Sequence, residues 1–194
     1  MDWPAVTDFL PSLALGVALA ACAGLRAFLP LFLAGLLARA GWLDLGPSFE
    51  FLGSTKALVL FGLATVVEVL GDKIPAIDHA LDAIGTPLRP AAGALLAASV
   101  IGVVSDPLTA LALGTAVGAP AALVPHAAKS ALRAASSTLT GGLANPVLSL
   151  IEDGLALVLF ALAVLVPLVV VGLLALALVL VVRRFRHREP VLAA

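Results

Sequence analysis

Apolar residues run along this chain in blocks too long and too unbroken for a soluble fold. Residues 11–40 carry one charge, Arg26, before Arg39. At about 1.5 Å per residue they extend about 45 Å, more than the hydrocarbon core of a bilayer. The pattern predicts either a long tilted helix or two half-helices meeting between Gly24 and Pro30. Residues 42–55, broken by Gly46, Pro47 and Gly53, read as a loop at the membrane interface. Residues 57–72 form the next span, which carries Glu68 and ends at Asp72 and Lys73.

After Pro75 the pattern changes. Ile74, Ile77, Leu81 and Ile84 recur at helical spacing, with Asp78, His79 and Asp82 off that face, which predicts a short amphipathic interfacial helix. Residues 90–104 make a third span, rich in small residues. Residues 108–140 again exceed one membrane thickness and are expected to be interrupted at Gly118, Pro120 and Pro125. Asn145-Pro146 opens a fifth span, carrying Glu152 and Asp153. No charge occurs from Gly154 to Val182, and Pro167 there reads as the first turn of a sixth helix after a tight hairpin.

The expected fold is therefore an all-α integral membrane protein with about six transmembrane segments. They divide into two triplets, residues 11–104 and 107–183, within a single membrane domain of 1–194. Each triplet has an over-long, interrupted first helix, spanning or re-entrant, with basic residues: Arg26 in one, Lys129 and Arg133 in the other. Each second helix carries acids, Glu68 and Asp72 or Glu152 and Asp153. An odd number of spans per repeat inverts one repeat relative to the other, an arrangement that places binding sites near the bilayer midplane.

Composition narrows the class. Apolar residues make up 62% and charged residues 12%, against about 25% charged in an average soluble domain. The net charge of −1 leaves no electrostatic footprint for a nucleic-acid partner. A single cysteine, Cys22, excludes an internal disulfide, and no Cys/His spacing indicates a zinc site or other cofactor. Leu19-Ala20-Ala21-Cys22 resembles a lipoprotein cleavage box. The preceding residues contain Asp2 and Asp8 but no Lys or Arg, so Cys22 reads instead as a small buried residue. The arginine-rich tail, residues 184–194 with Arg183 before it, is expected on the cytoplasmic side of a bacterial inner membrane. An even span count then puts the N-terminus, Lys73 and Arg89 on that side too.

Candidate chemistry concentrates in PHAAKSALRAASSTLTGGLANP, residues 125–146. His126, Lys129, Ser130, Arg133, Ser137 and Thr140 fall on one helical face. A polar stripe of three turns in an apolar chain is expected to face a bundle interior rather than lipid. Asn145, Glu152 and Asp153 follow after a short turn, and Glu68 lies within its own span. An isolated carboxylate at mid-membrane costs about 2.5–3.5 kcal/mol on insertion scales. Four acids (Glu68, Asp72, Glu152, Asp153) and three bases (Arg26, Lys129, Arg133) that met would largely neutralise one another.

The leading expectation is a small transporter or channel with this charged site at the repeat interface. Its substrate is anionic, phosphate-bearing or lipid-linked, because arginine and lysine suit phosphate and carboxylate, with proton or cation coupling through the acids. Two alternatives stand beside it. One is a membrane scaffold or assembly protein whose ion pairs are structural, and the other is a divalent-metal or cation transporter using His126 with the carboxylates. An intramembrane enzyme finds no nucleophile–base signature. Gly114 and Gly118 form a small-xxx-small pair, so a homo-oligomer is also expected.

Three runs resemble a known family: GLRAFLP (24–30), EVLGDKIPAIDHALDAIGTPLRP (68–90) and KSALRAASSTLTGGLANPVLSLIED (129–153). They are similar to the bacterial membrane family called domain of unknown function 4126, over about residues 13 to 183. The resemblance implies an integral membrane protein and leaves the mechanism to the residues themselves.

Overall fold

The computed structural model describes residues 3–101, 104 and 106–186, without the side chains of 3–8, 75–80, 82, 181 and 184–186. Those residues form seven α-helices and one 3-10 turn, with no strand among them. The helices are α1 (Trp3–Leu25), α2 (Phe28–Arg39), α3 (Thr55–Gly71), α4 (Pro75–Val100), α5 (Pro107–Thr140), α6 (Asn145–Leu165) and α7 (Pro167–Arg186). The 3-10 turn, Pro47–Gly53, precedes α3.

Helix α1 is the axis of the molecule. Ala18, Leu19, Ala20, Cys22 and Ala23 are fully buried, because α4, α5, α6 and α7 all pack around it. A helix apolar on every face has no side suited to water and is accommodated by this surrounding of apolar helices. The outer helices invert the soluble pattern: Leu63, Val67 and Leu70 of α3, Leu150 and Leu157 of α6, and Leu168 and Leu176 of α7 are all more than half exposed or nearly so. Such a continuous apolar exterior is compatible with lipid rather than water. Helices α5 and α6 are each long and apolar enough to cross a membrane, and the 3-10 turn with α3, bent by 60°, forms a third candidate span. The described part of α1, α2 and most of α7 are shorter apolar helices.

The break expected between Gly24 and Pro30 falls at Arg26–Ala27, between α1 and α2. Two other expectations are corrected. The interfacial helix and the third span are one continuous helix, α4, which runs through Pro87 and Pro90. The side chains of Asp78, His79 and Asp82 lie outside the described residues. Helix α5 is likewise unbroken over 34 residues despite Pro120 and Pro125. Each interior proline removes one backbone hydrogen bond, and packing against neighbouring helices holds the line of the helix regardless.

Close packing explains the glycines. A Cβ on Gly118 would lie 2.7 Å from the Cβ of Ala97, and one on Gly114 would lie 2.6 Å from the backbone nitrogen of Ala98. The Gly114–Gly118 pair is thus used inside the chain, where it lets α5 touch the α4 backbone. Packing is unequal in the two halves: α4 lies along both α1 and α5, whereas α7 scarcely reaches α5. At the exposed start of α5, Asp106 is the N-cap and accepts from the hydroxyl (2.6 Å) and N–H (2.7 Å) of Thr109. Those donors hold its carboxyl below the usual carboxylate range. Helix α6 stops at Val166, and Pro167 begins α7 as its first-turn residue.

Candidate functional site: a buried cluster of charges at the α1–α2 break

Breaking a helix inside an apolar environment leaves backbone groups without partners, and each must be satisfied locally. Here both broken ends are met by charged side chains. Glu68 of α3 accepts from the N–H groups of Ala27 (2.8 Å) and Phe28 (3.1 Å), where α2 begins. The carbonyl of Leu25, the last residue of α1, accepts from Lys129 at 3.4 Å. A carboxylate at a helix N-terminus and an ammonium at a C-terminus both complement the helix dipole. Glu68→Ala removes the cap, and thermal unfolding in detergent should show a loss of about 1–2 kcal/mol. Glu68→Gln, which keeps one acceptor, should recover part of it.

The side chains beside the break form a single network. Asp72, the C-cap of α3, is ion-paired to Arg26 at the α1–α2 break and to Lys129 (3.3 Å) and Arg133 (3.0 Å) from α5. Arg133 also makes a two-pronged contact with Glu152 of α6, at 3.1 and 2.8 Å, and Lys129 reaches Glu152 at 3.1 Å. Arg26 continues to Asp153 at 2.6 Å and to the Ser149 hydroxyl at 3.0 Å. Lys73 closes the far side on Asp153 at 3.0 Å and donates to the carbonyl of Val69 at 2.9 Å. Arg26 is 0% exposed, Asp72 1% and Lys129 2%. Four acids (Glu68, Asp72, Glu152, Asp153) therefore face four bases (Arg26, Lys73, Lys129, Arg133), and formal charge balances without any ligand.

Of the residues singled out by sequence, Arg26, Glu68, Asp72, Lys129, Arg133, Glu152 and Asp153 meet here. His126 lies one turn before Lys129, buried, with its Nδ1 2.9 Å from Nη1 of Arg89. Arginine is always a donor, so His126 accepts through Nδ1. Ser137 and Asn145 sit one step outward, with the Asn145 amide donating to the Ser137 hydroxyl at 3.3 Å. Ser130 is exposed and turned away from the cluster, and Thr140 is exposed at the end of α5, donating to the carbonyl of Ser136. The buried face of α5 runs His126, Lys129, Arg133, Ser136, so Ser136 takes the place expected for Ser130.

Sequence reasoning missed Arg89 and Ser149 as site residues and gave Lys73 and Arg89 to the membrane surface. Arg89 is instead 1% exposed. It lies on the same i, i+4 face as Gly85 and Gly93, and a Cβ on Gly85 would meet its guanidinium at 2.9 Å. That face was readable. Arg89 and Glu68 share the wall of an otherwise apolar crevice of about 190 Å³ between α3 and α4. Among the described residues, no three His, Cys, Asp or Glu side chains come together as a metal site.

The family profile for Domain of unknown function (DUF4126) matches residues 13–187, and the chain belongs to that family. Comparison with curated proteins and with solved structures finds no match.

Proposed function

We propose that this protein is a small multi-pass membrane transporter whose charged cluster binds and releases a small ionic substrate, coupled to protons or another cation. The observation that carries the reading is the meeting of Arg26, Asp72, Lys129, Arg133, Glu152 and Asp153, from four helices, at a broken helix. Broken helices beside buried charge are a recurring design for moving ions, because helix ends add partial charges that change when the break rearranges. An anionic substrate, phosphate-bearing or lipid-linked, would take over Arg26, Lys129 and Arg133, and the carboxylates it displaces would take up protons or a cation. This scheme retains the inverted-repeat arrangement of six spans, the bacterial cytoplasmic membrane and a cytoplasmic C-terminus as parts of the proposal. Interaction with copies of itself is also part of it.

The test is flux in proteoliposomes, using a panel of inorganic phosphate, carboxylates and monovalent cations with a pH-sensitive dye inside. Glu152→Gln frees Arg133 and Lys129 from one partner and should abolish coupled flux of whichever ion the parent moves. A second reading is favoured by the self-neutralised charges: a scaffold in which the network only fixes helix register. Under that reading the parent moves none of the panel, and Glu152→Gln changes stability alone. A cation transporter is distinguished by flux of a cation that persists without any anion.

A further inference from the structure

Several buried polar atoms near the cluster have no protein partner. Asp72 receives its three bases on one oxygen, and its Oδ1 is buried and unpaired, as are the Ser136 hydroxyl and the Asn145 Oδ1. A buried acceptor without a hydrogen bond costs about 1–3 kcal/mol, and the ordinary remedy in proteins is ordered water. The three are not scattered. Ser136 is one turn beyond Arg133 on the buried face of α5, and Asn145 is one turn before Ser149 on the buried face of α6. Both faces lead from the charges to the α5–α6 turn, where Gly141 and Gly142 adopt positive φ and end the helix.

Exposure rises along the same line. Arg133 is 4% exposed, Ser136 9%, Ser137 is half-buried and Thr140 is exposed. The α5 and α6 backbones barely touch, so the space between them is crossed by side chains, Arg133 to Glu152 and Asn145 to Ser137. Against α4 and α1 the packing of α5 is close: Gly114 and Gly118 lie on the α4 backbone and Gly24 of α1 lies on the Ala122 carbonyl, with no room for a methyl group. The crevice that α5 shares with α1 and α7 is lined by apolar side chains. We infer that the α5–α6 turn is the mouth of a hydrated passage, lined by Ser136, Ser137, Asn145 and Ser149, that brings water and small hydrophilic ions to the charged cluster. The inference deepens the transporter reading, on which its role in transport rests, by fixing the side from which the cluster is reached.

The chain offers a direct probe. Asn145 is its single asparagine and it contains no glutamine, so one side-chain amide signal reports the passage in the unaltered protein. In lipid bilayers, water-edited solid-state NMR should show that amide gaining magnetisation from water as fast as the exposed Thr140. A transfer as slow as that of fully buried Cys22 overturns the passage. Cysteine labelling gives the second arm. Ser136→Cys and Asn145→Cys should react with a cationic, membrane-impermeant methanethiosulfonate on the order of a hundredfold faster than Cys22 or Ala156→Cys. Reaction at Thr140→Cys alone, with positions 136 and 145 as slow as Cys22, also overturns it. Neither readout requires transport, so a hydrated passage in a protein that moves nothing would sink the transporter and leave the passage standing.

Discussion

Asp72→Asn is expected to be the most damaging single change in the charged network. Asn keeps the size and one acceptor but removes the negative charge that Arg26, Lys129 and Arg133 share. The cluster then holds four bases and three acids, with the surplus cation enclosed by α1, α3, α5 and α6. Breaking a buried ion pair by removing one partner costs about 3–5 kcal/mol, because the remaining charge is neither solvated nor neutralised. For a chain of this length that corresponds to a fall in unfolding midpoint of roughly 6–20 °C. The companion experiment removes a cation as well. Asp72→Asn combined with Lys129→Gln restores four minus one against four minus one, and should be more stable than either the sum of the singles or Asp72→Asn itself. Thermal unfolding in detergent measures all three. A loss below about 1 kcal/mol for Asp72→Asn would mean that the carboxylate behaves like a solvated surface partner, and the buried-network account would fail.

The convergence of these charges was legible because an apolar chain makes every ionisable residue conspicuous. Lys129 and Arg133 announce a helical face by spacing alone, and electroneutrality supplies Asp72 and Glu152 as their partners. What spacing left open was the centre of that face. A stripe drawn through residues 126, 129, 130, 133, 137 and 140 is centred to one side of the buried arc, which keeps 126, 129 and 133 from it and takes in 136. Ser130 falls outside for that reason. Arg89 was misjudged for another: a positive residue between Pro87 and Pro90 looks like the end of a span, and only the continuity of α4 carries it inward. The prolines misled because their local preference is real but weak beside tertiary packing. The break at Arg26 and the apparent breaks at Pro120 and Pro125 carry similar sequence signals. They differ in that Glu68 and Lys129 stand ready to satisfy the ends exposed at Arg26.

Gly118→Val should rank among the most destabilising apolar exchanges in the bundle, beside changes at Gly24 and Gly114. The Cβ position at Gly118 lies 2.7 Å from the Ala97 Cβ and 2.9 Å from the Gly93 backbone carbon, and the Gly93 position in turn lies 2.8 Å from the Ala122 Cβ. No side-chain rotation relieves this, since the obstacles are backbone and Cβ atoms. Helices α4 and α5 must separate, and α1, which packs on both, must follow. Ordinary overpacking costs about 1–3 kcal/mol, and a clash with backbone belongs at or above the top of that range. Gly154 and Gly172 supply the contrast, because nothing lies within 4 Å of either Cβ position. Gly154→Ala and Gly172→Ala should be neutral, or gain up to about 1 kcal/mol of helix propensity. The same series decides what the Gly114–Gly118 pair is for. If it joins two copies of the chain, Gly118→Val halves the particle mass in detergent and leaves the unfolding midpoint of the monomer in place. If it joins α4 to α5, the midpoint falls at constant particle mass, because the surfaces that separate belong to one chain and carry Arg89, His126, Lys129 and Arg133 apart with them.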